Sequence, residues 1–171
     1  MRNYIPDMYY KSILDIDYNL LKDKGIKCLI FDLDNTLTTI DKKEFSKEYK
    51  QKLNELSKSF KLIIVSNNFS RKIKLLCNSI NISFISFAMK PLPFAYKKVI
   101  KRWNCKKNEI CMIGDQLLTD IQGANKFGIL SILVDPVGKD DIKYTGINRF
   151  IENKIISKSK ILKRGKYYER R

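Results

Sequence analysis

Short apolar runs recur along this chain, and each stops at or just before a polar or charged group. Residues 28–31 (CLIF) run into Asp32 and Asp34, and residues 62–65 (LIIV) into Ser66 and Asn67. A weaker run, 83–87, precedes Lys90 by a few positions, 110–113 (ICMI) closes on Gly114 and Asp115, and 129–134 ends at Asp135. Between these runs the apolar positions switch to helical spacing. Phe45, Tyr49, Leu53, Leu56 and Phe60 form one stripe, Ile73, Leu76, Cys77 and Ile80 a second, and Phe94, Val99, Ile100 and Trp103 a third. A fourth helix is expected over 117–127, closed by Gly128. Continuous short apolar runs suit strands covered on both faces, and strand–helix alternation with short connections gives a mainly parallel sheet. The expectation is an α/β protein: a three-layer Rossmann-like parallel sheet of about five strands with helices on both faces.

Parallel strands present their carboxyl ends along one edge, where open α/β sheets bind ligands. Asp32 and Asp34 are spaced by one residue, so in a strand they share a face and repel; a proton or a cation must relieve them. With Asp115 on another strand they make an all-oxygen set suited to Mg²⁺. Ser66 adds a hydroxyl for phosphate oxygens and Lys90 a point charge that neutralises phosphate and carboxylate alike. In such company a carboxylate can act as nucleophile, forming an aspartyl-phosphate that water then hydrolyses. The chain has no histidine, which excludes Ser-His-Asp and Cys-His catalysis. Its four cysteines form no CxxC pair, so a zinc site is not expected and Cys28 and Cys111 read as small buried thiols.

The first 25 residues carry Tyr4, Ile5, Met8, Tyr9, Ile13, Leu14, Leu20 and Leu21 among polar residues and are expected to form one or two short helices. Ile147, Phe150, Ile151 and Ile155 suggest a last amphipathic helix. The formal charge is +16, and 154–171 holds eight basic residues against one acidic. That balance points to a polyanionic partner, an anionic membrane surface or nucleic acid; no nucleic-acid-reading motif accompanies it, so nucleic acid is not expected. Apolar runs stay far below the ~20 residues of a membrane span, and 1–7 lack the apolar core of a signal peptide. The expected location is the cytoplasm, with the inner face of the membrane as the alternative.

FDLDNTLTT, VSNN, Lys90-Pro91 and GDQLLTD, in that order, resemble the four motifs of the haloacid dehalogenase-like (HAD) superfamily of phosphatases. The resemblance implies that Asp32 is nucleophile and Mg²⁺ ligand, and that Asp34 is general acid/base and metal ligand through its carbonyl. It implies that Ser66, helped by Asn67, binds the phosphoryl group, that Lys90 steadies nucleophile and phosphate, and that Asp115, supported by Asp120, holds the metal. An N-terminal Pro-Asp, the segment GIKCLIFDLDNTL and residues 148–152 (NRFIE) are similar to the YqeG-type class IIIA subfamily, which is related to phosphatidylglycerophosphate phosphatases. On this view 1–26 is a helical lead-in, 27–153 the HAD-like phosphatase domain and 154–171 a basic tail. The 31 residues between Asp34 and Ser66 leave no room for a cap domain, nor do those between Ser66 and Asp115. An uncapped site suits a phosphate on something large, with phosphatidylglycerophosphate the expected substrate. A soluble metabolite, a nucleotide or a nucleic-acid end is the alternative, and a receiver-like phospho-accepting module is the non-enzyme alternative.

Overall fold

The computed structural model describes residues 2–68, 71–138 and 142–169. Seven strands form one sheet: β1 (Met8–Tyr10), β2 (Cys28–Phe31), β3 (Lys61–Val65), β4 (Ser83–Ile85), β5 (Ile110–Gly114), β6 (Leu130–Val134) and β7 (Tyr168–Glu169), in the order β4-β3-β2-β5-β6-β1-β7. All neighbours are parallel except β7, which runs antiparallel to β1. The helices are α1 (Tyr18–Asp23), α2 (Lys47–Ser57), α3 (Arg71–Ser79), α4 (Phe94–Trp103), α5 (Gln122–Phe127) and α6 (Ile142–Lys158), with a π-helical turn at Leu117–Ile121 leading into α5.

The central strands are buried on both faces, and successive side chains alternate between two cores. Leu29, Phe31, Leu62, Ile64 and Ile113 pack with α1, α2 and α3, whereas Ile30, Ile63, Val65 and Met112 pack with α4 and α5. Helix α2 starts where Ser46 caps it by accepting from Tyr49 N–H, and it buries the expected stripe of Tyr49, Leu53 and Leu56. Helix α5 ends at Gly128, whose φ of 82° suits a residue without a Cβ and whose N–H returns to the Ala124 carbonyl. All four cysteines are buried free thiols, Cys28 and Cys111 among them as expected.

Register aligns the strand ends. Phe31 sits opposite both Ile64 and Ile113, and Ile64 opposite Phe84. Asp32, Ser66 and Asp115 therefore leave the sheet at nearly the same height on three adjacent strands.

Three expectations are corrected. The N-terminal segment is not purely helical: Met8–Tyr10 is a strand, held in parallel register on β6. Residues 154–169, expected as a basic tail outside the phosphatase domain, join the fold. Leu162 is buried, its N–H and that of Ile161 bond the Ser159 hydroxyl, and the segment finishes as strand β7; Arg170 and Arg171 lie outside the described residues. Helix α6 turns inward only part of the face its apolar residues suggest: Ile155 packs against the core as expected. Phe150 and Ile151 are exposed, while fully buried Glu152 stands between Asn148 and Ile156 on the core side; the Ile147 side chain lies outside the described residues. Among the described residues no helix is long and apolar enough to cross a membrane.

Candidate active site

The loop after β2 is shaped by its own polar residues. Asn35 adopts φ 65°, a left-handed conformation that Asn tolerates better than most residues, and its N–H meets the Thr38 carbonyl at 2.7 Å. That turn points Thr36 inward, fully buried, where its hydroxyl donates to the Asp115 carboxylate at 3.0 Å. The loop after β3 ties back similarly: Asn68 N–H bonds the Ser66 hydroxyl at 3.1 Å, and the Asn68 amide donates to Asp34 at 2.8 Å.

Lys90 is placed by Asn67. The Asn67 amide nitrogen donates to the Lys90 carbonyl at 2.9 Å, and its oxygen accepts from Lys90 N–H at 2.7 Å. The side chain expected to help bind phosphate thus clamps the lysine backbone. Ser66 N–H is likewise occupied, by the Ile85 carbonyl at 3.0 Å, so the donor Ser66 can offer is its hydroxyl.

Asp32, Asp34, Ser66, Asn67 and Lys90 line one crevice of roughly 310 Å³ at the carboxyl edge of the sheet. Asp115 and Asp120 are buried, and carboxylate oxygens of Asp32, Asp115 and Asp120 lie within 4.8 Å of one another. The Lys90 ammonium reaches Asp32 at 2.5 Å and Asp120 at 2.7 Å. Gly114 permits that packing, since a Cβ there would fall 2.3 Å from an Asp120 carboxylate oxygen. All seven residues singled out from the sequence are therefore brought together.

Electrostatics follow from this crowding. Burial pushes the Asp32 carboxyl well above the usual carboxylate range; Lys90 opposes the shift, while Asp120 and Asp115 add to it. Burial works against the charge on Lys90, but Asp120 and Asp32 outweigh it and hold the ammonium protonated. A divalent cation among Asp32, Asp115 and Asp120 would relieve the crowding that raises Asp32, and the all-oxygen donor set is one that Mg²⁺ accepts.

Sequence reasoning passed over three supports. Thr36 and Asn68 stood inside quoted motifs, and their type alone, a hydroxyl and an amide next to acids, was the available signal. Glu152 lies far along the chain: it is fully buried and accepts from Leu117 N–H at 2.6 Å and Leu118 N–H at 3.3 Å, at the start of the turn that carries Asp120. Arg164 stands 4.0 Å from its other oxygen and 3.7 Å from Asp135. Asp135, which ends β6 as the other acids end their strands, does not line the crevice; it accepts from the Tyr9 and Tyr167 hydroxyls.

A parallel sheet with this acidic crevice at its carboxyl edge places the chain among the HAD-superfamily phosphatases. Residues 1–138 match the family described as mitochondrial PGP phosphatase, and the chain belongs to that family. It is 37% identical over 155 residues, 90% of each chain, to the Bacillus subtilis (strain 168) protein named "Probable phosphatase YqeG". It is 28% identical over 145 residues to phosphatidylglycerophosphate phosphatase 1, chloroplastic/mitochondrial, of Arabidopsis thaliana, spanning 79% of this chain and 42% of that one. The fold is shared with the cobalt-bound form of a deoxy-D-mannose-octulosonate 8-phosphate phosphatase from Haemophilus influenzae (TM-score 0.51, 16% identity, 80% of this chain and 90% of that one).

Proposed function

We propose that this phosphatase is a Mg²⁺-dependent phosphomonoester hydrolase that works through an aspartyl-phosphate on Asp32 and that its substrate is phosphatidylglycerophosphate. The observation that carries the chemistry is Asp32 itself: a buried carboxylate at a crevice wall, 2.5 Å from Lys90 and clustered with Asp115 and Asp120. An Asp32 oxygen attacks phosphorus and the ester P–O bond breaks. Asp34, steadied by Asn68, gives its proton to the departing alkoxide. Water then attacks the phosphorus of the aspartyl-phosphate, Asp34 takes its proton, and inorganic phosphate leaves with Asp32 restored.

Asp32, Asp115, Asp120 and the Asp34 carbonyl would hold the cation. When bound it supplies positive charge to the phosphoryl oxygens. Lys90 and the Ser66 hydroxyl add fixed donors around the same oxygens, each typically worth about 3–4 kcal/mol of barrier in sites of this kind. The lipid substrate is supported by the family and by the name of the Arabidopsis relative. Turnover of phosphatidylglycerophosphate in mixed micelles is compared with sugar phosphates and nucleotides, all with Mg²⁺. The lipid is expected to have the highest kcat/KM; a soluble phosphate turned over far faster would replace it.

A further inference from the structure

Residues 56–108 contain twelve lysines and arginines and no aspartate or glutamate, so this third of the chain holds most of the formal charge of +16. The stretch spans β3, α3, β4 and α4, with β4 at the sheet edge opposite β7. The C-terminal segment 154–171 adds a net +7, and its strand β7 lies on the far edge of the sheet.

At the crevice end of that basic flank the loop from β4 to α4 exposes large apolar side chains: Met89 is 53% exposed, Leu92 49% and Phe94 50%. They flank Lys90 in sequence, and Lys90 itself is buried. Leu92 N–H bonds the Met89 carbonyl at 2.8 Å, closing a tight turn that sends Lys90 inward and leaves its neighbours outside. The loop is rigidly tied to the site through Ala88 N–H to the Ser66 carbonyl at 3.1 Å and through the Asn67 clamp on Lys90. Soluble monomers seldom gather apolar side chains in this way without something to cover them.

Phe94 opens α4, and Lys97, Lys98 and Lys101 follow it at intervals of three, four and seven residues, so they continue its exposed stripe. At 1.5 Å per residue, Lys97 and Lys98 lie about 4.5–6 Å behind Phe94 along the axis. The headgroup layer of a bilayer leaflet is roughly 5–7 Å deep. Apolar tips in the acyl boundary would therefore put these ammonium groups level with lipid phosphates.

We propose that the 86–94 loop and the first turns of α4 form a docking surface for an anionic phospholipid bilayer, setting the mouth of the crevice against the headgroups. The inference rests on the lipid-phosphate reading for its purpose, and it names a surface that reading does not contain. Charge selects the occupant: a bilayer bearing phosphatidylglycerol complements the flank, whereas a second copy of this chain would bring the same cations against it.

The test is co-flotation of the full chain with vesicles of phosphatidylglycerol and phosphatidylcholine in equal parts, against phosphatidylcholine alone. The wild type is expected to float only with the anionic vesicles. Met89→Asn/Leu92→Gln/Phe94→Gln, with Asn chosen because Met89 has φ 54°, should reduce the floated fraction at least about tenfold. Lys97→Glu/Lys98→Glu should do the same, while Lys163→Glu/Lys166→Glu in the C-terminal segment should float as the wild type does. Hydrolysis of p-nitrophenyl phosphate should persist in every variant and shows that each is folded. A wild type that stays unbound overturns the proposal, as does an apolar-loop variant that floats normally or a tail variant that does not float. So does a wild-type dimer that ignores vesicles and that the loop variant makes monomeric. Docking without hydrolysis of any lipid phosphomonoester would refute the substrate reading and leave the surface standing; lipid hydrolysis in micelles without vesicle binding would do the reverse.

Discussion

Glu152 makes the most specific forecast, because a buried carboxylate sits where an amphipathic helix would ordinarily place an apolar residue. It accepts from Leu117 and Leu118 N–H at 2.6 and 3.3 Å and faces Arg164 at 4.0 Å. Hydrogen bonds to a charged acceptor contribute about 1.5–3 kcal/mol and neutral ones about 0.5–1.5. Glu152→Gln keeps an acceptor oxygen but loses the charge, and the longer bond counts for less, so the cost should be about 1–2 kcal/mol. Glu152→Ala leaves a buried N–H without that acceptor and should cost about 3–5 kcal/mol. With a urea m-value near 2 kcal/mol/M, the Gln variant should unfold at about 0.5–1 M less urea. The same turn carries Asp120, so the Mg²⁺ concentration for half-maximal p-nitrophenyl phosphate hydrolysis should rise about tenfold, as loss of an outer-shell carboxylate commonly does. Saturating Mg²⁺ should restore most of kcat. A Gln variant with an unchanged urea midpoint and an unchanged Mg²⁺ requirement would refute the reasoning.

Thr36→Val removes the hydroxyl bonded to Asp115 at constant shape and should lower kcat/KM about tenfold or more, the equivalent of one charge-assisted hydrogen bond, with Thr36→Ser recovering most of it; equal activity of the two variants would show the bond to be idle. Gly114→Ala forces a methyl to within 2.3 Å of Asp120 and should cost about 1–3 kcal/mol of stability together with most of the activity, read by thermal melts and steady-state kinetics. Lys27 bonds Glu109 at 2.5 Å and holds its carboxyl below the ordinary value of 4.5. A depressed acid stabilises the fold above its unfolded pKa and loses that contribution as pH falls through the lowered value, so wild-type and Lys27→Met denaturation midpoints should differ near neutrality and converge in acid. Curves that stay parallel down to low pH would contradict it.

The strands that carry the site were legible because each is a short apolar run interrupted by a reactive group, a pattern local enough to see. Strand β1 was not: Met8-Tyr9-Tyr10 is three residues long, shows no alternation, and pairs with residues 124 positions away, Met8 with Ile132. Strand β7 is two residues held by pairing with β1, Tyr168 with Tyr9, and the short bond between Tyr10 and Glu169. Helix α6 misled in the opposite sense. Its hydrophobic pattern assigned Phe150 and Ile151 to the core, whereas the chemistry of the turn at Leu117 demanded a buried acceptor and took Glu152. Of the site itself, the residues with reactive groups were readable, while Asn67 changed partner, since nothing in SNN says whether an amide faces a ligand or a neighbouring backbone.

The central claim is that an Asp32 oxygen carries the phosphoryl group between ester and water. Acid quenching during turnover of p-nitrophenyl phosphate with Mg²⁺, borohydride reduction and peptide mass spectrometry read this directly, because reduction turns an aspartyl-phosphate into homoserine. Homoserine at position 32, dependent on substrate and absent from Asp32→Asn, is the predicted result. Homoserine at position 34 instead, or full turnover by Asp32→Asn, would contradict the account.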